Sequence, residues 1–101
     1  MPKQVGRHSF SGPKPSLDRI PKEPGIFVVQ RREGTYERLI KTQAAANVHA
    51  ALSKYASSSK FTGSDFYTKQ QIYTLPLFSV KAGSSLTSEV EQFYKEQEEQ
   101  A

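Results

Sequence analysis

The chain has no cysteine, and it has no long hydrophobic run. Without cysteine there can be no disulfide, no thiolate nucleophile and no cysteine-based zinc site, so packing alone must stabilise the core. No stretch approaches the roughly 20 consecutive apolar residues that span a bilayer, and no apolar run follows the N-terminus to act as a signal peptide. We therefore expect an intracellular protein, cytoplasmic or associated with a nucleoid or nucleus, with no membrane partner.

Patterns that would indicate catalysis or a bound cofactor are also missing. The two histidines, His8 and His49, are far apart in sequence and lack metal-ligand spacing. The six glycines match neither a Walker nor a Rossmann pattern. The sequence thus indicates no catalytic residues, no metal site and no cofactor.

Positive charge is concentrated in the first 85 residues. They contain thirteen Lys or Arg against five acids, a net +8, whereas residues 86–101 contain Lys95 against five glutamates, a net −4. A basic surface attracts polyanions, which makes DNA or RNA the first partner to consider. Scattered lysines and arginines that only keep a small domain soluble are the alternative explanation.

Residues 1–23 form a basic segment rich in proline and glycine, and we predict a flexible arm there. Its few apolar residues cannot bury enough surface to offset the entropy of ordering, although Phe10, Leu17 and Ile20 indicate that part of it packs back on the domain. Two of its cations, Arg7 and Lys14, suit contact with phosphate. The remaining residues, 24–101, are predicted to form a single compact α+β domain.

A β-hairpin is predicted at the start of this domain. Ile26–Arg32 is rich in β-branched and aromatic residues, Gly34 can take positive φ in a turn, and Tyr36–Lys41 forms the second strand. Strict alternation places Arg38 and Lys41 on opposite faces of that strand. The hairpin nevertheless gathers four cations in a small region, the best candidate for phosphate contact by charge density: Arg31, Arg32, Arg38 and Lys41.

Helical and strand-like patterns follow the hairpin. Thr42 is a plausible N-cap for a helix that reaches Tyr55, and its apolar residues recur at helical spacing. Phe66–Val80 predicts a third strand with an edge, bulge or bend at Pro76. A final amphipathic helix is expected from Leu86, with capping-box spacing between Ser88 and Glu91. The predicted order is β-β-α-β-α, a small α+β sheet with helices on one or both faces.

This order resembles that of the GIY-YIG nuclease domain over roughly residues 24–94. The matching positions are Gly25-Ile26-Phe27, Ile40 and Asn47-Val48. The family uses tyrosine and arginine to orient water and neutralise a phosphate, and a glutamate to hold a divalent metal. Its two tyrosines and its helix arginine fall here on Phe27, Leu39 and Ala51, and its glutamate has a counterpart at Glu89 or Glu91. Tyr36 would take the second tyrosine position if the turn were shortened. The resemblance therefore implies a shared fold without the family's means of phosphate cleavage.

Aromatic residues offer a second way to contact nucleic acid. Phe66, Tyr67, Tyr73 and Phe78 are interleaved with Lys69 and Lys81, and exposed rings could stack on unpaired bases. Alternatively the rings form the core, the interpretation we favour for Phe66 and Phe78.

Together these patterns predict a non-catalytic nucleic-acid-binding domain that uses the basic hairpin with help from Arg7 and Lys14. Two alternatives stay open. A protein-binding adaptor, inhibitor or assembly module would use the hairpin edge or the last helix, and a divergent metal-dependent nuclease would have retained residual activity.

Overall fold

The computed structural model describes residues 3–5, 8–61, 65–78 and 80–100. Within these residues, five strands, three α-helices and one 3-10 turn follow one another. In chain order they are β1 (Lys3–Val5), β2 (His8–Phe10), the 3-10 turn (Leu17–Arg19), β3 (Gly25–Glu33), β4 (Tyr36–Ala45), α1 (Val48–Ser58), α2 (Asp65–Thr68), β5 (Gln71–Pro76) and α3 (Val80–Gln100).

The central sheet has three antiparallel strands in the order β4-β3-β5. Strands β3 and β4 form the predicted hairpin, and Gly34 takes a φ of +64° in its turn, a conformation that costs glycine little. The pairing is regular except at a bulge. Val29 lies opposite Lys41 whereas Gln30 lies opposite Leu39, so β4 has one extra residue at this point.

Strand β3 has a buried core on both of its faces, because the sheet is covered on two sides. We call the first the α3 side: Ile26 and Val28 pack there with helix α3 and with Val5 and Phe10 of the N-terminal strands. The second is the α1 side, where Phe27 and Val29 pack with α1, α2 and the 3-10 turn. The structure is thus an α+β fold, as predicted, with helices on both faces.

The N-terminal segment differs from the predicted flexible arm. Strands β1 and β2 pair antiparallel, and Val5 and Phe10 are buried in the core of the α3 side. Ser11 exchanges two backbone hydrogen bonds with Thr74 of β5, at 2.8 and 2.9 Å. The described residues of 1–23 are therefore part of the domain. The burial of Phe10 and Ile20 confirms that part of the segment packs back on the domain, whereas its composition did not predict the paired strands β1 and β2.

Helix α1 begins later than predicted. Thr42 lies within β4, where its hydroxyl donates to the carbonyl oxygen of Phe27 at 3.1 Å, and it is not an N-cap. Strand pairing continues to Ala45, opposite Gly25. Asn47 is the N-cap, since its Oδ1 accepts from the amide of Ala50 at 3.1 Å.

The region predicted as one strand, Phe66–Val80, contains three elements. Phe66 belongs to the short helix α2, the strand β5 ends at Pro76, and Val80 begins α3. Because α3 starts before Leu86, the Ser88–Glu91 pair lies inside the helix and is not a capping box. Phe66 is buried as predicted, but Phe78 is fully exposed, contrary to the prediction of a core position.

Helix α3 is long, but its exposed residues include charged side chains along its length. No helix in the described part of the chain has both the length and the apolar character needed to cross a bilayer.

Candidate nucleic-acid interface

Three of the four predicted hairpin cations lie on the α1 side of the sheet. Arg31 follows Val29 by two residues on β3 and therefore projects on the same side. Arg38 lies directly opposite Arg31, and Lys41 lies directly opposite Val29. The bulge explains why Lys41 lies on the same side as Arg38. Strict alternation predicts these two residues on opposite faces, and the extra residue in β4 reverses that alternation.

Arg32 lies on the other side of the sheet. It is paired in register with Glu37, whose Oε2 is 3.9 Å from the Arg32 Nη2 atom. Glu37 in turn belongs to the polar contacts on the α3 side, described below. The predicted cluster is therefore divided by the sheet, and Arg32 does not share a surface with the other three cations.

Helix α1 adds a fourth cation, Lys54, to the α1 side. A groove of about 360 Å³ lies between β4 and α1 and is lined by Lys41, Gln43, Ala51, Lys54, Tyr55 and Ser58. Lys54 is exposed. We call this the cationic groove. Sequence reasoning did not include Lys54 in the site, although the helical spacing of Ala51, Tyr55 and Ser58 aligns these residues along one flank of α1.

Glu33 is the acid closest to the arginines of this side. Its Oε1 lies 3.5 Å from Arg38 Nη1 and 4.0 Å from Arg31 Nη2. Such surface ion pairs contribute only about 0–1 kcal/mol, so a phosphate can compete for the guanidinium groups. The Nε atom of Arg31 is buried and has no hydrogen-bond partner among the described residues.

Lys14, the predicted contact from the N-terminal segment, lies elsewhere. Its backbone amide donates to the carbonyl of Ile72 on β5 at 2.8 Å, and its Nζ donates to Ser11 Oγ at 3.0 Å. Strands β5 and β4 are the opposite edges of the sheet, so Lys14 and Lys41 are separated by the width of the sheet. Arg7 lies outside the described residues.

Acidic residues concentrate on the helix of the opposite side. All five glutamates of α3 are exposed: Glu89, Glu91, Glu96, Glu98 and Glu99. Four cations thus lie on the α1 side while the acidic helix covers the α3 side. A polyanion that approaches this molecule is attracted by the first surface and repelled by the second.

A second polar cluster lies on the α3 side, where Gln30 and Tyr94 are buried and its other members are partly buried. The hydroxyl of Tyr94 donates to Gln30 Oε1, and Gln30 Nε2 donates to Glu37 at 2.5 Å and to Gln71 at 2.6 Å. Lys3 Nζ donates to the other oxygen of Glu37 at 2.5 Å. The same ammonium lies within 6 Å of two aromatic rings, those of Tyr73 and Tyr94. We call Lys3, Gln30, Glu37, Gln71 and Tyr94 the polar cluster of the α3 side.

The electrostatics of this cluster favour a structural role. Burial raises the pKa of Glu37, but hydrogen bonds from Lys3 and Gln30 and the charges of Lys3 and Arg32 outweigh it, so the pKa is lowered overall. Burial, with the charge of Glu37, raises the pKa of Tyr94. Glu37 is therefore a carboxylate and Tyr94 a neutral phenol at neutral pH. Their donors and acceptors are matched, as expected of a cluster that fixes the core.

The residues at which the sequence predicted GIY-YIG catalytic positions lie on both sides of the sheet. Phe27 is completely buried on the α1 side, where Ala51 of α1 also packs. Glu89 lies on α3, on the other side of the sheet, with its Oε2 3.3 Å from His8 Nε2. Among the described residues, no three His, Asp or Glu side chains converge in a way that could hold a metal ion.

No protein family, curated protein or solved structure matches this chain. The cationic groove and the neighbouring Arg31 and Arg38 together place four cations on one side of the sheet.

Proposed function

We propose that this protein is a non-catalytic nucleic-acid-binding domain that contacts the phosphate backbone with its α1 side. The observation that supports this proposal is the common surface of Arg31, Arg38, Lys41 and Lys54, three from the hairpin and one from the helix across the groove. Arginine suits a phosphate through its fork of N–H groups, and lysine supplies a mobile point charge. The binding surface therefore includes Lys54 and leaves out Arg32 and Lys14.

The predicted affinity for nucleic acid falls as the salt concentration rises. Each phosphate neutralised on duplex DNA lowers the slope of log K against log salt concentration by about 0.9, and on a single strand by about 0.7. Four cations that all contact phosphate give a slope of about −3.6 on a duplex and about −2.8 on a single strand. A slope near zero would mean that these side chains are not the basis of binding.

Fluorescence anisotropy with labelled single-stranded and double-stranded DNA and RNA tests the proposal. Titrations at two or more salt concentrations give the slope, and magnesium is present so that a gel of the products reveals any cleavage. We expect salt-dependent binding and intact substrate. Cleaved substrate would instead favour the divergent nuclease, and no binding at low salt would contradict the proposed function.

A triple variant and a charge-matched control locate the surface. Arg31→Gln, Arg38→Gln and Lys41→Gln together should weaken binding by more than about tenfold, because three phosphate contacts are lost. The control removes three exposed cations that lie away from this surface: Lys22→Gln, Arg32→Gln and Lys95→Gln. Both variants lose three positive charges. Equal weakening by the two would show that only net charge matters and would contradict a defined surface.

A protein-binding adaptor is the second candidate, and the open edge of the sheet favours it. Strand β4 has ten residues and pairs only with β3 in the described part of the chain. Its outer backbone groups could extend the sheet of a partner. A complex with a defined protein that withstands both nuclease treatment and high salt would support the adaptor over nucleic-acid binding.

A further inference from the structure

Helix α1 has a second groove on its other flank. Ala51, Lys54, Tyr55 and Ser58 line the cationic groove, while Ser53, Ala56 and Ser57 line a cavity of about 300 Å³ beside α2 and the 3-10 turn. The remaining walls of this cavity are apolar or aromatic: Leu17, Phe61, Phe66 and Tyr67. We call it the aromatic groove. Since an α-helix with its side chains is only about 10–12 Å across, the two grooves are close neighbours.

Phe66, a buried residue, holds the rings of Tyr67 and Tyr55 in place, and Phe61 packs against the same core cluster. Phe66 is only 1% exposed, and its ring packs edge-on against that of Tyr67 at 5.0 Å and that of Tyr55 at 5.9 Å between centroids. Tyr67 and Phe61 are partly exposed at the groove. Rings fixed by such edge-to-face contacts lose little further freedom when a flat ligand stacks on them.

The two grooves also share a residue. Tyr55 lines the cationic groove, and its ring contacts Phe66 of the aromatic groove. A ligand that occupies both would therefore cross the C-terminal half of α1. The residues at this crossing are short and polar: Ser53, Ser57 and Ser58.

Charged groups around the aromatic groove suit a ligand with a flat neutral part and an anionic backbone. Lys60 Nζ and Lys69 Nζ lie 5.4 and 6.0 Å from the centroid of the Phe61 ring, and both lysines are exposed. Two acids are also near: Asp18 close to Tyr67, and Asp65 at the start of α2. An anion seated deep in the groove would meet these carboxylates, whereas a nucleobase carries no charge.

We propose that the aromatic groove stacks one unpaired nucleobase of a single strand whose phosphates follow the cationic groove. Single-stranded nucleic acid is then the preferred ligand class, because a paired base cannot leave its duplex without loss of stacking and pairing energy. The inference rests on the proposed function and adds base stacking to phosphate contact. Rings that serve only as core packing would produce no such preference.

The chain has no tryptophan, so Phe61→Trp introduces a single fluorescent reporter at the groove. Three ligands are compared: an oligothymidylate, an abasic strand and a DNA duplex. Each has a length of about 12 nucleotides, which lies within the range of known single-strand binding sites. A stacked base should quench the tryptophan. We expect quenching by the oligothymidylate alone, with about tenfold tighter binding by anisotropy than the abasic strand, the effect of one base–aromatic stack.

Two phenylalanine substitutions in the natural sequence complete the test. Phe61→Leu should lower affinity for the oligothymidylate about tenfold, to that of the abasic strand, and leave duplex affinity unchanged. The matched control is Phe78→Leu, the same change at a fully exposed ring, which should alter none of these affinities. The thermal midpoints of both variants show whether the fold is retained, and the Phe61→Trp titration decides if Phe61→Leu does not fold.

The outcomes separate the two proposals. Equal affinity for oligothymidylate and abasic strand, or binding without quenching, overturns base stacking in the aromatic groove and leaves phosphate binding intact. Failure of all three ligands to bind at low salt overturns the proposed function itself.

Discussion

The hydroxyl of Tyr94 donates a hydrogen bond to Oε1 of Gln30 and so joins helix α3 to the central strand of the sheet. Both side chains are less than 2% exposed. Gln30 also donates to Glu37 and Gln71, which lie on the strands to either side of it. One glutamine therefore connects all three strands and the helix, and its amide would be costly to bury without these partners.

Tyr94→Phe should destabilise the protein by about 1–3 kcal/mol, because it leaves the buried oxygen of Gln30 without this donor. Urea unfolding at neutral pH measures the change. Tyr36→Phe is the matched control, since the Tyr36 hydroxyl bonds to Glu33 at 3.3 Å beside the hairpin turn and is partly exposed. Its effect should stay within about 0.5 kcal/mol. Equal losses of stability in the two variants would mean that the hydrogen bond to Gln30 stabilises the fold no more than the exposed hydrogen bond of Tyr36 does.

Glu37 should make stability depend on pH in the acidic range. Its pKa is lower in the folded protein than its ordinary value of 4.5, so ionised Glu37 stabilises the fold above that value. The contribution is lost as pH falls from 4.5 through the lowered folded pKa, because the carboxylate then gains a proton and loses its ionic contact with Lys3.

Glu37→Gln tests this dependence. The free-energy difference between the natural protein and the variant should be largest near about pH 7 and should shrink towards about pH 3, as measured by urea unfolding at several pH values. Glu91→Gln, at an exposed position on α3, provides the comparison. A difference for Glu37→Gln that stays constant over this range would contradict the role assigned to its charge.

Much of the hairpin was predictable because its signals are local. A β-branched run, a glycine that can take positive φ and a second polar-apolar strand are sufficient to predict β3, the turn at Gly34 and β4. The end of β4 was not predictable in this way. Thr42 can cap a helix or lie in a strand. It lies in a strand because pairing continues past it to Ala45, opposite Gly25, and these partners are 20 residues apart in the chain.

The composition of the candidate site depends on features that single residues do not reveal. Strict alternation separates Arg38 from Lys41, and only the bulge opposite Val29 and Gln30 brings Lys41 to the α1 side. Lys54 joins the site through the packing of α1 beside β4. Charge density along the sequence predicted the region, whereas the side of the sheet decides which cations act together.

Gly83 marks a close approach between α3 and β4. A Cβ atom at this position would lie 2.5 Å from Ala44 Cβ and 3.0 Å from Leu77 Cδ1. Alanine is the better helix former by about 1 kcal/mol, but this clash is with a short side chain that cannot rotate away. Gly83→Ala should therefore destabilise the protein by about 1–3 kcal/mol despite its helix propensity.

Thermal or urea unfolding measures this effect, and two comparisons identify its cause. Ser85→Ala on the same helix is exposed and should be neutral or slightly stabilising. Ala44→Gly combined with Gly83→Ala removes the facing methyl group, so the double variant should lose less stability than the two single losses predict. Additive losses would show that contact with Ala44 is not the reason for glycine at this position.

Single-charge variants separate the two sides of the sheet. Lys54→Gln and Arg32→Gln each remove one exposed positive charge, from the α1 side and from the α3 side respectively. If the α1 side binds phosphate, Lys54→Gln should reduce the magnitude of the salt slope on duplex DNA by about 0.9, whereas Arg32→Gln should leave the slope unchanged. Anisotropy titrations over a series of salt concentrations measure both slopes. A reduced slope for Arg32→Gln with an unchanged one for Lys54→Gln would place the nucleic acid on the α3 side, against the five glutamates of α3, and would contradict the surface proposed for binding.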